Sequence, residues 1–313
     1  MKMVKLCLGI MIAGMLIFGG CSKRDEPVKV DLDKRAAIAP KNSDTGQHLR
    51  VAVGGMITPK AGFKYYRQFL DYIGVKIGMP VDFVDRESYA EINELVRNGN
   101  VDLAFVCGGP YVDGHKAFGM ELLAAPQAYG QQVYHSYIIV AKSSSLASFE
   151  ELRGKTFAFT DPLSNSGKLV PTYMLARMKE TPESFFKKFI FTQAHDKSIK
   201  AVAEGIVDGA AVDSLIWEYL NRTKPQFTAA TKIIERSPPY GIPPVVVRKE
   251  LDPKLKERLR QVFLTAHEDG KGQEILKGMM IDKFLPVKDR AYNSIREMQD
   301  WIAAQKKGRG KSQ

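Results

Sequence analysis

The segment Asp161-Pro162-Leu163-Ser164-Asn165-Ser166-Gly167-Lys168 concentrates small polar groups that can hold an anion. It follows residues 155–160, which read as a strand, and opens residues 167–178, which read as a helix. A helix start offers unpaired N–H groups and about half a positive charge. Ser164, Asn165 and Ser166 add side-chain donors at short reach, and Gly167 lets backbone come close to an anion. Pro171 is tolerated only near a first turn, which places the helix start near Ser166 or Gly167. An ordinary N-cap would use the same residue types, so the segment alone does not separate an anion site from a cap.

Two further groups stand at similar places. His195 follows the strand signal of residues 189–192, where a histidine can donate to an oxyanion and, if protonated, add charge. Asp213 follows the strand signal of residues 209–212. A carboxylate fits an anion site when the ligand carries a proton, because it accepts a P–OH hydrogen bond and rejects a fully ionised anion. It fits equally well as the N-cap of the helix that starts at Ser214. Tyr89, Tyr111 and Tyr134 sit at strand or helix boundaries where a phenol could donate to an anion while its ring walls a pocket, or simply pack. Cys107 ends an apolar run and reads as a buried small hydrophobe. No Ser-His-Asp spacing, Cys-His pair, metal cluster or P-loop stands out, so neither an enzyme nor a bound cofactor is expected.

The elements that would position these groups alternate between strand and helix. Strand signals cover 48–54, 80–84, 101–106, 120–126, 133–142, 155–160, 189–192, 209–212, 231–235 and 245–248. Helix signals cover 63–77, 88–98, a short turn after Gly108-Gly109-Pro110, 167–178, 198–204, 214–221, 253–266, 270–276 and 290–304. Ser88 and Glu91 form a capping-box pair. This rhythm predicts an α/β protein with mostly parallel sheets covered on both faces. It breaks twice, near residue 140 and in the Pro-rich stretch 237–244, which predicts two lobes joined by two crossings. The first lobe takes 49–140 and 241–305, the second 141–240. A ligand would lie between them, at strand C-terminal ends and helix N-termini.

The ends of the chain lie outside that fold. Lys2 and Lys5, an apolar run from Leu6 to Phe18 and the sequence Gly19-Gly20-Cys21 make residues 1–20 a secretory signal. Cys21 stands where a lipoprotein is diacylated; a plain cleaved signal is the alternative. The apolar run is short of the ~20 residues a membrane-spanning helix needs. Residues 21–48 are polar and Pro-containing, the composition of a tether. Of the three cysteines, Cys7 lies in the signal and Cys21 at its end, so Cys107 stands alone and no disulfide is possible in the folded part. The net charge of +11 owes part of its excess to Lys306, Lys307, Arg309 and Lys311 in the tail 306–313, read as a solvated, frayed end. A basic surface attracts small anions. Aromatic residues do not interleave with the basic ones, so nucleic acid is not an expected partner.

Several of these stretches, in order, resemble one family. They are Ser88-Tyr89, Val101-Asp102-Leu103-Ala104-Phe105-Val106, Gly109-Pro110-Tyr111-Val112 and Tyr134-His135-Ser136-Tyr137-Ile138-Ile139-Val140. Asp161-Pro162-Leu163-Ser164-Asn165-Ser166-Gly167, His195-Asp196-Lys197-Ser198-Ile199 and Val207-Asp208-Gly209-Ala210-Ala211-Val212-Asp213 follow. The chain is similar to the phosphate/phosphite/phosphonate substrate-binding proteins of ABC importers over about residues 49–270. The resemblance implies a two-lobed type 2 periplasmic-binding-protein fold. It implies an anion cradle at Ser164, Asn165 and Ser166, an oxyanion contact at His195, and a carboxylate reading ligand protonation at Asp213. Tyr89 and Tyr134 would be first-lobe tyrosines closing over the phosphonyl group. Asn165 departs from the family's usual Thr. The 237–247 crossing carries no carboxylate, which argues against a ligand with a distal ammonium group. The implied role is an exported, monomeric capture protein, lipid-anchored to a bacterial membrane, that docks on a permease and its ATPase. The alternative is a sensor presenting the same closed clamp to a membrane kinase or receptor.

Overall fold

In the computed structural model, which describes residues 47–54, 59–86 and 88–309, the strand and helix signals assemble into two mixed sheets. The expected signal, Cys21 and most of the tether lie outside the described residues, as do 310–313. The chain runs β1 (Leu49–Val53), α1 (Pro59–Ile77), β2 (Val81–Val84), α2 (Tyr89–Arg97), β3 (Leu103–Phe105), α3 (Gly108–Phe118) and β4 (Glu121–Gln127). It continues β5 (Val133–Tyr134), β6 (Ser136–Ala141), β7 (Thr156–Phe159), α4 (Val170–Arg177), α5 (Pro182–Phe185), β8 (Lys188–Phe191), α6 (His195–Ala203) and β9 (Gly209–Asp213). It ends α7 (Ser214–Thr223), α8 (Pro225–Ala229), β10 (Thr231–Arg236), β11 (Tyr240–Gly241), β12 (Val245–Val247), α9 (Pro253–Thr265), α10 (Gly270–Met279), β13 (Lys283–Leu285) and α11 (Asn293–Arg309).

The larger sheet has the order β13-β4-β12-β3-β1-β2 and the smaller β10-β6-β9-β7-β8. Both are apolar on both faces because helices cover both. Val245 and Val247 pack with α1, α9 and α10, while Val246 turns to the opposite side with Tyr111, Tyr292 and Ile295. In the smaller sheet Phe157 and Phe159 face one layer and Ala158 the other. Each fully buried Val, Ile or Phe side chain contributes about 1.5–3 kcal/mol of transfer free energy.

In each sheet one strand enters between two others and runs against both: β12 between β3 and β4, β6 between β9 and β10. Both follow the two-stranded ribbon β5–β11, where Tyr134 pairs with Tyr240. A strand that arrives through the crossings enters at the C-terminal ends of the parallel strands and so runs back along them. The long strand expected over 133–142 is therefore two strands, broken at His135, whose Nδ1 lies 2.7 Å from the Ser237 carbonyl. β6 lies wholly in the smaller sheet, so the switch between sheets falls at His135 rather than near residue 140.

Other local differences have physical causes. Helix α11 runs to Arg309. α11 also leans on both halves: Gln299 Nε2–H donates to Asp113 of α3 at 3.0 Å, and Trp301 meets Tyr173 of α4 edge-on at 5.1 Å. The capping box at Ser88 and Glu91 forms as expected. Short elements such as α5, α8 and β13 had too few residues to show a period.

Candidate functional site

The cradle segment is a wide π-type turn ahead of α4. Leu169 N–H donates to the Ser164 carbonyl at 2.9 Å, and Val170 N–H donates to that of Asn165. Pro171 explains the widening. It has no N–H to give the Gly167 carbonyl, and its ring crowds that oxygen. The freed carbonyl instead accepts from Thr160 N–H at the end of β7, at 3.2 Å. The turn is thereby stapled to the strand. A Cβ on Gly167 would lie 2.5 Å from Thr160 Oγ1, so this glycine serves packing on β7 rather than approach to an anion. Lys168 turns its ammonium onto the Phe159 ring, 3.8 Å from the centroid.

The predicted residues come together, in different ways. Ser164 Oγ accepts from Gly167 N–H at 3.0 Å and so caps the turn. Its own proton remains available to donate. Ser166 is fully buried, its carbonyl takes a 2.7 Å bond from Ser136 Oγ–H, and its hydroxyl has no partner among the described residues. Asn165 Nδ2–H donates to Tyr134 Oη at 2.9 Å, and Oδ1 has no partner among the described residues. Turned by 180°, the same amide would accept from Tyr134 through Oδ1 and present Nδ2 as a donor. Tyr89, at the start of α2, is buried with its hydroxyl unpartnered among the described residues, and burial raises its pKa well above the usual phenol range. Tyr134 is raised likewise, by burial first and then by the nearby Cys107 and Asp213.

His195 opens α6 instead of lying in a loop before it. Its Nδ1 accepts from Asp213 N–H at 3.0 Å and lies 3.1 Å from Thr160 Oγ1. An accepting Nδ1 fixes the neutral tautomer with the proton on Nε2, which has no partner among the described residues. Burial lowers the pKa to about 3. The charged histidine entertained from sequence is thus replaced by a neutral N–H donor. Because the folded pKa lies below the ordinary 6.5, the folded protein binds fewer protons between those values, and this group withdraws stability as pH falls through 6.5 toward 3. Heteronuclear NMR should show the neutral Nε2–H form of His195 throughout pH 5–8. An imidazolium signature at pH 5 would contradict the assignment.

Asp213 ends β9 and caps α7: its Oδ1 accepts from Leu215 N–H at 2.7 Å, while Oδ2 is buried without a partner among the described residues. Burial pushes its pKa up to about 7 despite the bonds from Leu215 and Ile216 N–H. The cap and the candidate ligand contact read from sequence are thus two oxygens of one carboxylate. Tyr111, by contrast, lies elsewhere: its hydroxyl donates to Asp289 at 2.6 Å and its ring packs on Tyr292.

Three groups have partners that the sequence reading did not assign. Asp161 accepts from Leu163 N–H at 2.7 Å and from Tyr89 N–H at 3.2 Å, linking the cradle to α2 of the other half. Cys107 Sγ takes N–H bonds from Asn165 and Gly109 and lies 3.8 Å from Tyr134 Oη, with its thiol pKa raised by burial. Tyr66 of α1 is buried with a raised pKa, to which Tyr219 and Asp213 add. Tyr66 falls inside the helix signal of residues 63–77, which by itself gives no hint of a polar role. Beside Tyr89 lies an apolar pouch lined by Gly54, Ile92, Val106, Cys107 and Pro110, too narrow for a water molecule. Among the described residues, five buried polar atoms stand without protein partners on the segments that meet around Asp213: Tyr89 Oη, Asn165 Oδ1, Ser166 Oγ, His195 Nε2 and Asp213 Oδ2. Native proteins leave few such atoms unsatisfied.

The family model for the periplasmic substrate-binding protein of phosphonate ABC transporters matches residues 56–292. The chain belongs to this family. The phosphonates-binding periplasmic protein of Escherichia coli K12 is 27% identical over 235 residues, covering 74% of this chain and 69% of that protein. The crystal structure of a binding protein component of an ABC phosphonate transporter from Pseudomonas aeruginosa superposes with a TM-score of 0.79 at 25% identity, covering 83% of this chain and 88% of the other. A Prochlorococcus marinus protein solved in complex with methylphosphonate shares the fold, with a TM-score of 0.75 at 21% identity over 82% of this chain and 98% of that one. The phosphonate-binding family thus has the two-lobed type 2 fold found here.

Proposed function

We propose that this chain is the capture subunit of an ABC importer for a small phosphorus oxyanion: a phosphonate, phosphite or phosphate. The observation that carries the reading is the set of five unpartnered buried polar atoms around Asp213. Ser166 Oγ–H, Tyr89 Oη–H and His195 Nε2–H are neutral donors for oxyanion oxygens, and Asp213 Oδ2 takes a shared proton. Charge-assisted hydrogen bonds of this kind are the strong ones. The Prochlorococcus protein of the same fold binds methylphosphonate, a small ligand of this class.

In this reading residues 49–135 with 241–305, and 136–240, are the lobes of a clamp hinged at the β5–β11 ribbon. Cys21 carries the lipid anchor after removal of residues 1–20, and the exported protein docks as a monomer on a permease with its ATPase. The chain binds its ligand without turning it over. Calorimetric titration against methylphosphonate, phosphite, phosphate and a sulfonate at two pH values tests the ligand class. Ser166→Ala and His195→Ala should each weaken binding by about 1–3 kcal/mol, the cost of a lost hydrogen bond to a charged group. Unchanged affinity in both variants would remove the site assignment.

A further inference from the structure

The hairpin between β4 and β5 turns on Tyr129 and Gly130, both with positive φ, at 53° and 77°. Ala128 and Gln131 exchange backbone hydrogen bonds of 2.9 and 3.1 Å, so this is a two-residue hairpin loop of the mirror-image type. Asn, Asp or Gly normally fills its first central position, and a tyrosine there is strained. Strain of this kind persists where the surroundings over-determine it. Here the larger half clamps the tip: Gly130 N–H donates to Asp282 at 2.7 Å, and Gln127 Nε2–H donates to the Gly130 carbonyl at 3.0 Å.

The strained ring reaches across to the other half. The Arg222 guanidinium of α7 lies 4.5 Å from the Tyr129 ring centroid, and the Tyr129 hydroxyl donates to Met280 Sδ at 3.3 Å. Met280 is itself a non-glycine residue with φ of 58°, and it packs against the core of the smaller sheet. Two left-handed residues of the larger half thus press on the smaller half at one rim. Between the hairpin and α7 lies a chamber of about 320 Å³, bordered by Tyr129, His135, Ser214, Glu218 and Arg222. α7 is the helix capped by Asp213.

We propose that Tyr129 is a positioning residue: its ring, seated on Arg222, holds α7 and therefore Asp213 in the closed arrangement. This rests on the oxyanion-binding reading above. The latch forms whenever the halves close, with or without ligand, and opening must break it, so it governs release more than capture.

Tyr129→Gly separates the latch from the fold, because glycine suits the left-handed turn while removing the ring. The ligand-free variant should melt at the same temperature as the unaltered protein or higher. Its methylphosphonate complex should dissociate about tenfold faster with an unchanged association rate, the scale of one cation–π contact at a partly buried site. Its ligand-free radius of gyration in solution scattering should be larger. Tyr129→Phe should behave as the unaltered protein, Arg222→Ala should copy Tyr129→Gly, and the double variant should be no worse than either. An unchanged dissociation rate in Tyr129→Gly overturns the proposal, and so does a parallel loss of melting temperature and affinity. If the unaltered protein binds none of the four panel anions, the oxyanion reading fails by itself. The scattering comparison then decides the latch: a larger radius for Tyr129→Gly supports it and an equal one overturns it.

Discussion

Gly109→Ala should weaken oxyanion binding about 100-fold while leaving the ligand-free protein at least as stable. A Cβ at Gly109 would lie 2.3 Å from the Leu163 carbonyl oxygen and 3.4 Å from Asn165 N. These atoms are backbone and cannot rotate away. Leu163 is also tied to Asp161 through its N–H. The two halves must therefore separate by about an ångström at the point where the cradle meets α3, and a binding-competent state made rare lowers apparent affinity in proportion. Gly109 lies in the first turn of α3 and its φ is not left-handed, so alanine suits its own helix. There alanine is favoured over glycine by about 0.5–1 kcal/mol. Calorimetry and thermal melting read the two effects, whose signs differ. Affinity within threefold of the unaltered protein would show that the halves do not close as described.

Affinity for methylphosphonate should rise and then fall with pH, and Asp213→Asn should remove the fall. The Asp213 pKa is raised from 3.8 to about 7 by burial. A buried carboxylate cannot face a doubly charged phosphonate without a proton between them. The complex therefore holds one proton, from whichever partner. A phosphate-like second pKa near ~6 places free ligand and free site in the same titration range. Below both values binding releases a proton, and above both it takes one up. Affinity should thus peak near neutrality and fall about tenfold per pH unit above pH 8, as linkage requires. Asn keeps the cap on Leu215 N–H and can donate to a dianion through its NH₂, so its profile should stay flat on the alkaline side.

The ligand-free protein should show the matching stability effect. Between 3.8 and about 7 the folded state holds a proton that the unfolded chain has lost, so stability falls as pH rises through that window. Asp213→Asn should therefore melt higher at pH 8. Identical pH profiles of affinity in the two proteins would show that Asp213 does not share the ligand's proton.

What could be read from the residues alone was what depends on near neighbours in the chain. Periodicity set most helices and strands, Ser88 and Glu91 set a capping box, and Pro171 limited where α4 could begin. The order of Ser164, Asn165, Ser166, His195 and Asp213, each just past a strand signal, sufficed to propose one cleft. This works because strand ends in one parallel array share an edge. The tertiary structure decided matters that depend on distant partners. The charge of His195 follows from Asp213 N–H, 18 residues away, which occupies Nδ1. The purpose of Gly109 follows from a carbonyl on the opposite half, and that of Gly167 from Thr160. Asp161, Cys107 and Tyr66 gain their roles by facing elements far along the chain, and no local spacing encodes that. Local preference even misleads at Tyr129, whose left-handed turn is held by Asp282, 152 residues from Gly130. Sequence patterns report the period of an element and the chemistry of its ends. Which buried donors keep partners, and which are left for a ligand, is settled only when the two sheets come together.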